Sequence, residues 1–520
     1  MFDSFTMGVL SLISFLFVSI IAGLIIIIAI FYVIDITQKT HTIRSNYPVI
    51  GRFRYFFEHI GEFLRPYWFA TDREELPFNR ADRQWVYRAA KNVDSSIAFG
   101  STRDLNETGV VMFMNSAFPT LDEDALKSSP VTIGPYCEKP YSTDSIFNIS
   151  AMSYGAISKP AIIALSSGAA KAGCWLNTGE GGLSPYHLEG GADIVFQIGT
   201  AKYGVRGKDG MLCDNKLKEM ASHSQIKMFE IKLSQGAKPG KGGILPAEKV
   251  SKEVARIRGI NEGEASLSPN RHVDIDSNAD LLDMIKRIRR VTGKPVGFKL
   301  VIGDELWIDD LFHEIRIRGI ESAPDFITID SADGGTGASP QPLMDYVGLP
   351  IKESLPWIVN KLTEQGLRNR IKVIVAGKLI NPAGVAWALA LGADFVTSAR
   401  GFMFALGCIQ ALQCNKNTCP TGVATHNTKL QRGLNTTTKA ERVAQYQKHL
   451  VHSVGLIAHS CGVSEPRQLQ RKHVRVVTDS GYSVGFENIF PLPTEKADMF
   501  KQDIDIKHQE TENNRERTNE

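Results

Sequence analysis

Hydrophobic positions along this chain fall into two patterns. The first is one uninterrupted run, MGVLSLISFLFVSIIAGLIIIIAIFYVI, from Met7 to Ile34, without charge or proline. A bilayer core takes about 20 apolar helical residues, so this run is long enough to span with tilt. The second is a series of short apolar segments that read as buried strands: IFNISAMS, GCWLNTGEGG, DIVFQIG, MFEIKLS, PVGFKLVI, DFITIDSADGG, KVIVAGKL and DFVTSARG. Most intervals between them carry a helical pattern. In SNADLLDMIKRIRR, Leu281, Ile285 and Ile288 recur at helical spacing, and Ser277 with Asp280 forms a capping-box pattern. AGVAWALALGA and PAIIALSSGAAKAG are further helices. Strand alternating with helix predicts a parallel sheet with helical crossovers. Eight such units predict an α/β fold, a (β/α)8 TIM-type barrel, with an N-terminal transmembrane helix and a mixed helical linker. An open doubly wound sheet is the alternative. It is weakened because no G-x-G-x-x-G follows the first strand.

The domain reading follows: an anchor over 1–38, a linker and helical region over 39–140, the barrel over 141–475 and a disordered polar tail over 496–520. A cleaved signal peptide fits the first run poorly, because no basic residue precedes it and no small-residue cleavage site follows. Only Asp3 precedes the run, whereas Lys39, Arg44, Arg52 and Arg54 follow it. The positive flank stays inside, so a single-pass protein of the inner (cytoplasmic) membrane with a cytoplasmic catalytic domain is expected. The net charge of +3 and the interleaving of basic with acidic residues argue against a nucleic-acid partner. In a reducing compartment structural disulfides are not expected. Cys137, Cys174, Cys213 and Cys461 read as core residues.

In a barrel of this kind the chemistry sits at the C-terminal ends of the strands. There the sequence places Ser150 to Gly155, Asn177 to Gly182, Gln197, Lys232 with Gln235, Lys299, Asp333 to Gly337, Gly377-Lys378 and Ser398 to Gly401. A lysine inside the apolar GFKLVI is costly to bury without an anionic partner, such as the N1/C2 edge of a reduced flavin. The alternative is a lysine turned to solvent. Glycines at the ends of strands six to eight let backbone amides approach a phosphate.

Three of the seven cysteines, Cys408, Cys414 and Cys419, crowd into GCIQALQCNKNTCPTG. On one continuous helix Cys414 would point away from the other two, so a shared centre requires a loop. Spacing alone leaves zinc with His426 as fourth ligand or another metal centre, and three ordinary core cysteines, both open. A redox thiol pair is disfavoured because C-x-x-C is absent, and Cys419-Pro420 matches the step that closes a ferredoxin cluster motif.

NISAMSYGAIS, LNTGEGGLS, QGAKPGKGG, DSADGGTGASP and the closing GC-x5-C-x4-CPTGVAT together resemble the FMN-binding domain of glutamate synthase, over about residues 145–430. The apolar run followed by THTIRSNYPVIGRFRY resembles a membrane-anchored bacterial subgroup of that family. The resemblance implies that Ala151, Met152 and Ser153 line FMN, that Gln197 and Lys299 contact its ring, and that Gly334, Gly335, Thr336, Gly377, Ser398 and Ala399 surround its phosphate. It implies that Glu180, Gln235, Lys238 and Arg258 hold 2-oxoglutarate and its imine, with Glu180, Lys238 and Lys299 catalytic. It makes Cys408, Cys414 and Cys419 the ligands of a [3Fe–4S] cluster. The implied reaction is reductive amination of 2-oxoglutarate, through 2-iminoglutarate, to L-glutamate, with electrons passed from the cluster to FMN.

The chain departs from that pattern in places. It begins Met-Phe-Asp and enters the apolar run, so neither the family's glutaminase domain nor its C-terminal β-helix is expected. Ammonia is then expected from ammonium or a separate glutamine-splitting subunit, and electrons from a ferredoxin or a reductase subunit. Lys241 and Lys378 stand where the family has a glutamate and a glycine. Two alternatives stay open: another FMN oxidoreductase acting on a 2-oxo or 2-hydroxy acid, and an electron-transfer subunit without glutamate synthesis of its own.

Overall fold

The computed structural model describes residues 2–68, 71–94 and 96–493. The expected tail at 496–520 lies outside the described residues. The chain forms two compact units that meet in sequence at Arg80 and Ala81.

In the first unit, helix α1 (Phe2–Thr37) includes the apolar run. Its Thr6–Thr37 portion is long and apolar enough to cross a membrane, with mean hydropathy 3.1 over its most apolar window and none of that window buried. A short helix, Thr42–Asn46, and helix α2 (Gly51–Trp68) follow.

The second unit is built on a closed parallel barrel of β1 (Phe147–Ile149), β2 (Leu176–Asn177), β3 (Ile194–Ile198), β4 (Ile226–Lys232), β5 (Val296–Leu300), β6 (Phe326–Asp330), β7 (Lys372–Ala376) and β8 (Phe395–Ser398). Pairing of Val396 with Phe147 closes the ring. Each of the eight segments expected as strands is one. Their residues are buried almost throughout, because helices cover the outside and side chains fill the inside, so they read as continuous apolar runs.

Among the crossovers are α3 (Lys159–Ala172), α4 (Lys252–Arg258) and α5 (Asn278–Thr292); α6 (Arg400–Leu406) and α7 (Thr436–Ser460) follow β8. The Ser277–Asp280 capping box is present at the start of α5. Helix α3 lies against α7, and Gly168 permits it: a Cβ there would stand 2.5 Å from Val443.

A hairpin of Val131–Ile133 with Tyr141–Thr143 closes the N-terminal end of the barrel. Its Ile133 and Tyr141 join a cluster with Trp175, Val195, Met228, Phe326, Ile374 and Phe395, contributed by residues at or near the strand starts. The opposite end is left to the strand-to-helix loops.

Residues 81–140, expected as linker, belong to the barrel unit. Arg83, Val86, Ala89 and Ala90 of the helix Arg80–Ala90 are buried. Val111–Phe113 pairs antiparallel with Val474–Val477, which pairs with Ser483–Gly485. That three-stranded sheet crosses both expected boundaries, 140 and 475. Strands of three or four residues carry too few alternating positions to be recognised from pattern.

Candidate active site

The barrel interior holds a polar network on a carboxylate that sequence reading missed. Glu230 of β4 is buried, with Oε1 accepting from Asn177 Nδ2 at 2.8 Å and from Gln197 Nε2 at 2.7 Å. Its Oε2 accepts from Thr328 Oγ1 at 2.6 Å. Lys299 is also buried and pairs with Asp330 at 3.1 Å, rather than turning to solvent. Burial opposes its charge, but Asp330 and Glu230 outweigh that and hold it protonated above the ordinary lysine range. Asp330 Oδ2 also accepts from Gly236 N at 2.9 Å, which ties the loop after β4 to the end of β6.

A second group gathers around Glu180, in the loop after β2. Lys232 Nζ lies 2.9 Å from Glu180 Oε1 and also donates to Gln235 Oε1. Burial would raise Glu180, but Lys232, Lys238 and Arg258 outweigh it and hold the carboxyl below its usual range. Lys238 is buried. Burial first, then Lys232, pushes its ammonium down to about 8 against the pull of Glu180. Arg258, at the end of α4, is buried rather than solvated. It donates to Tyr154 O at 3.3 Å and Ser266 Oγ at 3.2 Å. Glu180, Gln235, Lys238 and Arg258 are thus brought together, and Lys232 joins them.

The loop after β1 borders both groups. Met152 is buried, Ala151 and Ser153 are half-buried, and Ser153 Oγ accepts from Gly181 N at 3.1 Å. Gly377 has φ +124°, and a Cβ on it would stand 2.2 Å from Ser331 Cβ. Only glycine fits there. Lys378 follows with φ +52° and places its ammonium 2.8 Å from Asp333. Gly335 lies against the Arg400 side chain, whose Nη2 donates to Asp333 O at 3.4 Å. Ser398 and Ala399 lead directly into α6 beside Arg400. The ends of β6, β7 and β8 therefore meet in a corner with two cations and one carboxylate. Thr336, in the same loop, donates its Oγ1 to Ala338 O at 3.4 Å.

The three thiols lie in a loop, as a shared centre requires. Gln410, Leu412 and Asn417 have positive φ there, which non-glycine residues adopt only where surrounding contacts impose it. Burial pushes the Cys408 thiol up to about 12, and Cys414 and Cys419 act on it in the same direction. Among the described residues no three His, Cys, Asp or Glu side chains close to ligating geometry. His426 is turned away, its Nε2 donating to Gly155 O at 2.9 Å. Lys249, which sequence reading passed over, is buried beneath this loop. It donates to Cys414 O at 3.2 Å, Ala424 O at 3.1 Å and Ala156 O at 2.5 Å.

Residues 105–464 match the family described as a conserved region in glutamate synthase. The chain is 41% identical to the glutamate synthase large subunit-like protein YerD of Bacillus subtilis (strain 168), across 92% of this chain and 98% of that protein. It is 35% identical to an archaeal-type glutamate synthase [NADPH] of Thermotoga sp. (strain RQ2), across 62% of this chain and 60% of that one. It is 34% identical to an archaeal glutamate synthase [NADPH] of Methanocaldococcus jannaschii, across 64% and 62%. The chain thus spans nearly all of YerD but only about three fifths of these two archaeal-type enzymes. With the barrel and the matched region coinciding, the chain belongs to the glutamate synthase family of oxidoreductases.

Proposed function

We propose that the protein forms L-glutamate by FMN-dependent reductive amination of 2-oxoglutarate. The observation that carries this is the meeting of Lys238, Arg258, Lys232 and Gln235 around Glu180 beside the buried Lys299. A dicarboxylate needs two separated cationic contacts, and an arginine fork binds one carboxylate through paired hydrogen bonds. Glu180 is held ionised and is placed to accept hydrogen bonds from ammonia or an iminium.

The residues fit FMN. The corner of Gly334, Gly335, Gly377, Ser398 and Ala399 brings three strand ends together, Gly377 packing directly on Ser331, and Lys378 and Arg400 supply charge for a phosphate. Lys299 and Gln197 offer donors from the barrel interior. Bound there, the flavin supplies the reducing equivalents. The chain's own residues hold the oxoacid, screen it from water and keep a proton on Lys238 Nζ.

The three thiols fit an iron–sulfur cluster through the charge beneath them. A buried ammonium is costly unless an anion faces it. Burial pushes Lys249 down to about 8; it rests on three carbonyls, one of them Cys414 O, and thiolates at Cys414 and Cys419, as a cluster's ligands carry, would hold it charged. Replacing Lys249 with methionine is expected to lower iron and acid-labile sulfide per chain at least threefold while flavin content stays constant. Lys249→Arg should retain most of both. Metal analysis and the flavin absorbance of purified protein check this. We further propose that electrons come from a ferredoxin or reductase subunit, that nitrogen comes from ammonium or a separate glutamine-splitting subunit, and that α1 anchors the chain in the cytoplasmic membrane with the barrel inside.

The test is the chemically reduced, membrane-embedded protein given 2-oxoglutarate with ammonium or with glutamine. Glutamate formation with reoxidation of the flavin is expected. Failure of both with either nitrogen source overturns the reading. In the same assay kcat/KM should fall as pH rises through about 8, because Lys238 loses its proton there. Lys238→Arg should move that limb above pH 10, since a guanidinium stays charged.

A further inference from the structure

Helix α2 carries two unlike sides, and the protein covers only one of them. Phe53, Phe56, Phe57 and Ile60 fall at i, i+3, i+4 and i+7, one face of a helix. Phe53, Phe56 and Phe57 are 57%, 54% and 64% exposed. Their rings touch chiefly one another, Phe56 and Phe57 at 5.5 Å and Phe53 and Phe57 at 6.5 Å between centroids. Tyr55 on the other side is covered: His41 lies 4.8 Å from its ring and the Arg44 guanidinium 4.7 Å. Arg54 and Glu58 lie away from the phenylalanines as an exposed i,i+4 pair. Three neighbouring phenylalanines in water are an unusual surface for a soluble protein and an ordinary one for a helix lying at a membrane interface.

The start of α2 has its depth fixed relative to α1. Asp35 is fully buried, and its Oδ2 accepts from Val49 N at 3.0 Å and from Arg52 Nε at 2.8 Å. The Arg52 guanidinium lies over the Phe31 ring, 4.1 Å from its centre. Phe31 belongs to the apolar run, about 9 Å from the end of α1 at 1.5 Å per residue. The first turn of α2 is therefore held level with the last turns of the span and not beyond them. Lys39 and Arg44 precede it and Arg54 lies on it, positive charges that anionic headgroups attract.

We propose that α2 lies in the headgroup region of the leaflet through which α1 leaves the bilayer, with Phe53, Phe56 and Phe57 facing the acyl chains and Arg54 and Glu58 facing water. This rests on the reading of α1 as a membrane span. The occupant of the exposed face is the anionic lipid interface, continuous with that span. The aromatic face adds a second hold on the membrane and restricts how the chain leaves it.

The test uses the full-length protein in vesicles of phosphatidylcholine with phosphatidylglycerol. Cysteine is introduced singly at Phe53, Phe56, Phe57, Arg54 and Glu58, and a mass-tagged water-soluble maleimide counts adducts beyond those of the unaltered chain. Arg54→Cys and Glu58→Cys should react at least tenfold faster than the three phenylalanine replacements, and the difference should vanish in sodium dodecyl sulfate with urea. Equal rates in vesicles overturn the proposal. Slow reaction accompanied by disulfide cross-linking of two chains through positions 53, 56 or 57 also overturns it, by giving the face to a second copy. Alkaline carbonate washing separates the two readings. If the unaltered protein is released, the span itself fails. If it is retained and the phenylalanine positions react freely, only the placement of α2 fails.

Discussion

Replacing Glu230 with leucine is expected to destabilise the barrel by about 3–5 kcal/mol, the usual cost of removing one partner from a buried charged network. Three donors, on Asn177, Gln197 and Thr328, lose their acceptor at once. Each buried polar group left unsatisfied costs about 1–3 kcal/mol, and relaxation recovers part of that. Lys299 also loses one of the carboxylates that outweigh its burial. Thermal unfolding should begin about 3–6 °C lower for a unit of this size, and flavin retention should fall with it, because Gln197 and Lys299 belong to the same network. Glu230→Gln keeps the size and one acceptor, so its effect should be about 1–2 kcal/mol. Calorimetry of the two variants side by side checks the claim. Equal transitions for Glu230→Leu and the unaltered protein would remove this carboxylate from the account of the site.

The second large effect is expected at Arg258. Its leucine variant should raise KM for 2-oxoglutarate about 100-fold, the ratio that corresponds to about 3 kcal/mol. The guanidinium is held by Tyr154 O and Ser266 Oγ near Glu180; on the proposed reading its removal takes away a positioned contact to substrate and leaves the corner of Gly377 and Arg400 intact. kcat should fall less than KM rises, because a carboxylate clamp binds ground state and transition state alike. Lysine at this position should recover only part of the loss, lacking the paired donors. Steady-state kinetics with 2-oxoglutarate and a monocarboxylic 2-oxoacid decide it: the dicarboxylate should suffer more. If both substrates lose equally, Arg258 is holding the loop after β1 and not the substrate.

The barrel strands were legible because a strand buried on both faces has to be apolar along its length, and eight such runs occur in order. The interior of the site was legible only in part. Glu230 in MFEIKLS is, like Lys299, a charge inside an apolar strand, and burial there demands partners for both. Lys249 gave no comparable signal. It sits in PAEKVSKE, among residues that read as solvated, and only the folded loop places three carbonyls around it. Arg258 drew notice only through likeness to a known family, since EVARIRG on its own describes an exposed helix, whereas the folded chain buries it beside Glu180. The segment from Ala81 to residue 140 was misplaced because its contacts are distant in sequence, and local periodicity carries no information about them.

The sheet that joins Val111–Phe113 to Val474–Val477 has a consequence for how the chain is made. Phe113 leaves the ribosome long before its partner Val474 exists. At about 5–20 residues per second the interval is on the order of half a minute. During synthesis the early strand has an unpaired edge, while the barrel that will lie between the two partners is still incomplete. The seam therefore closes last, and a chain halted before Val474 leaves that early edge unpaired.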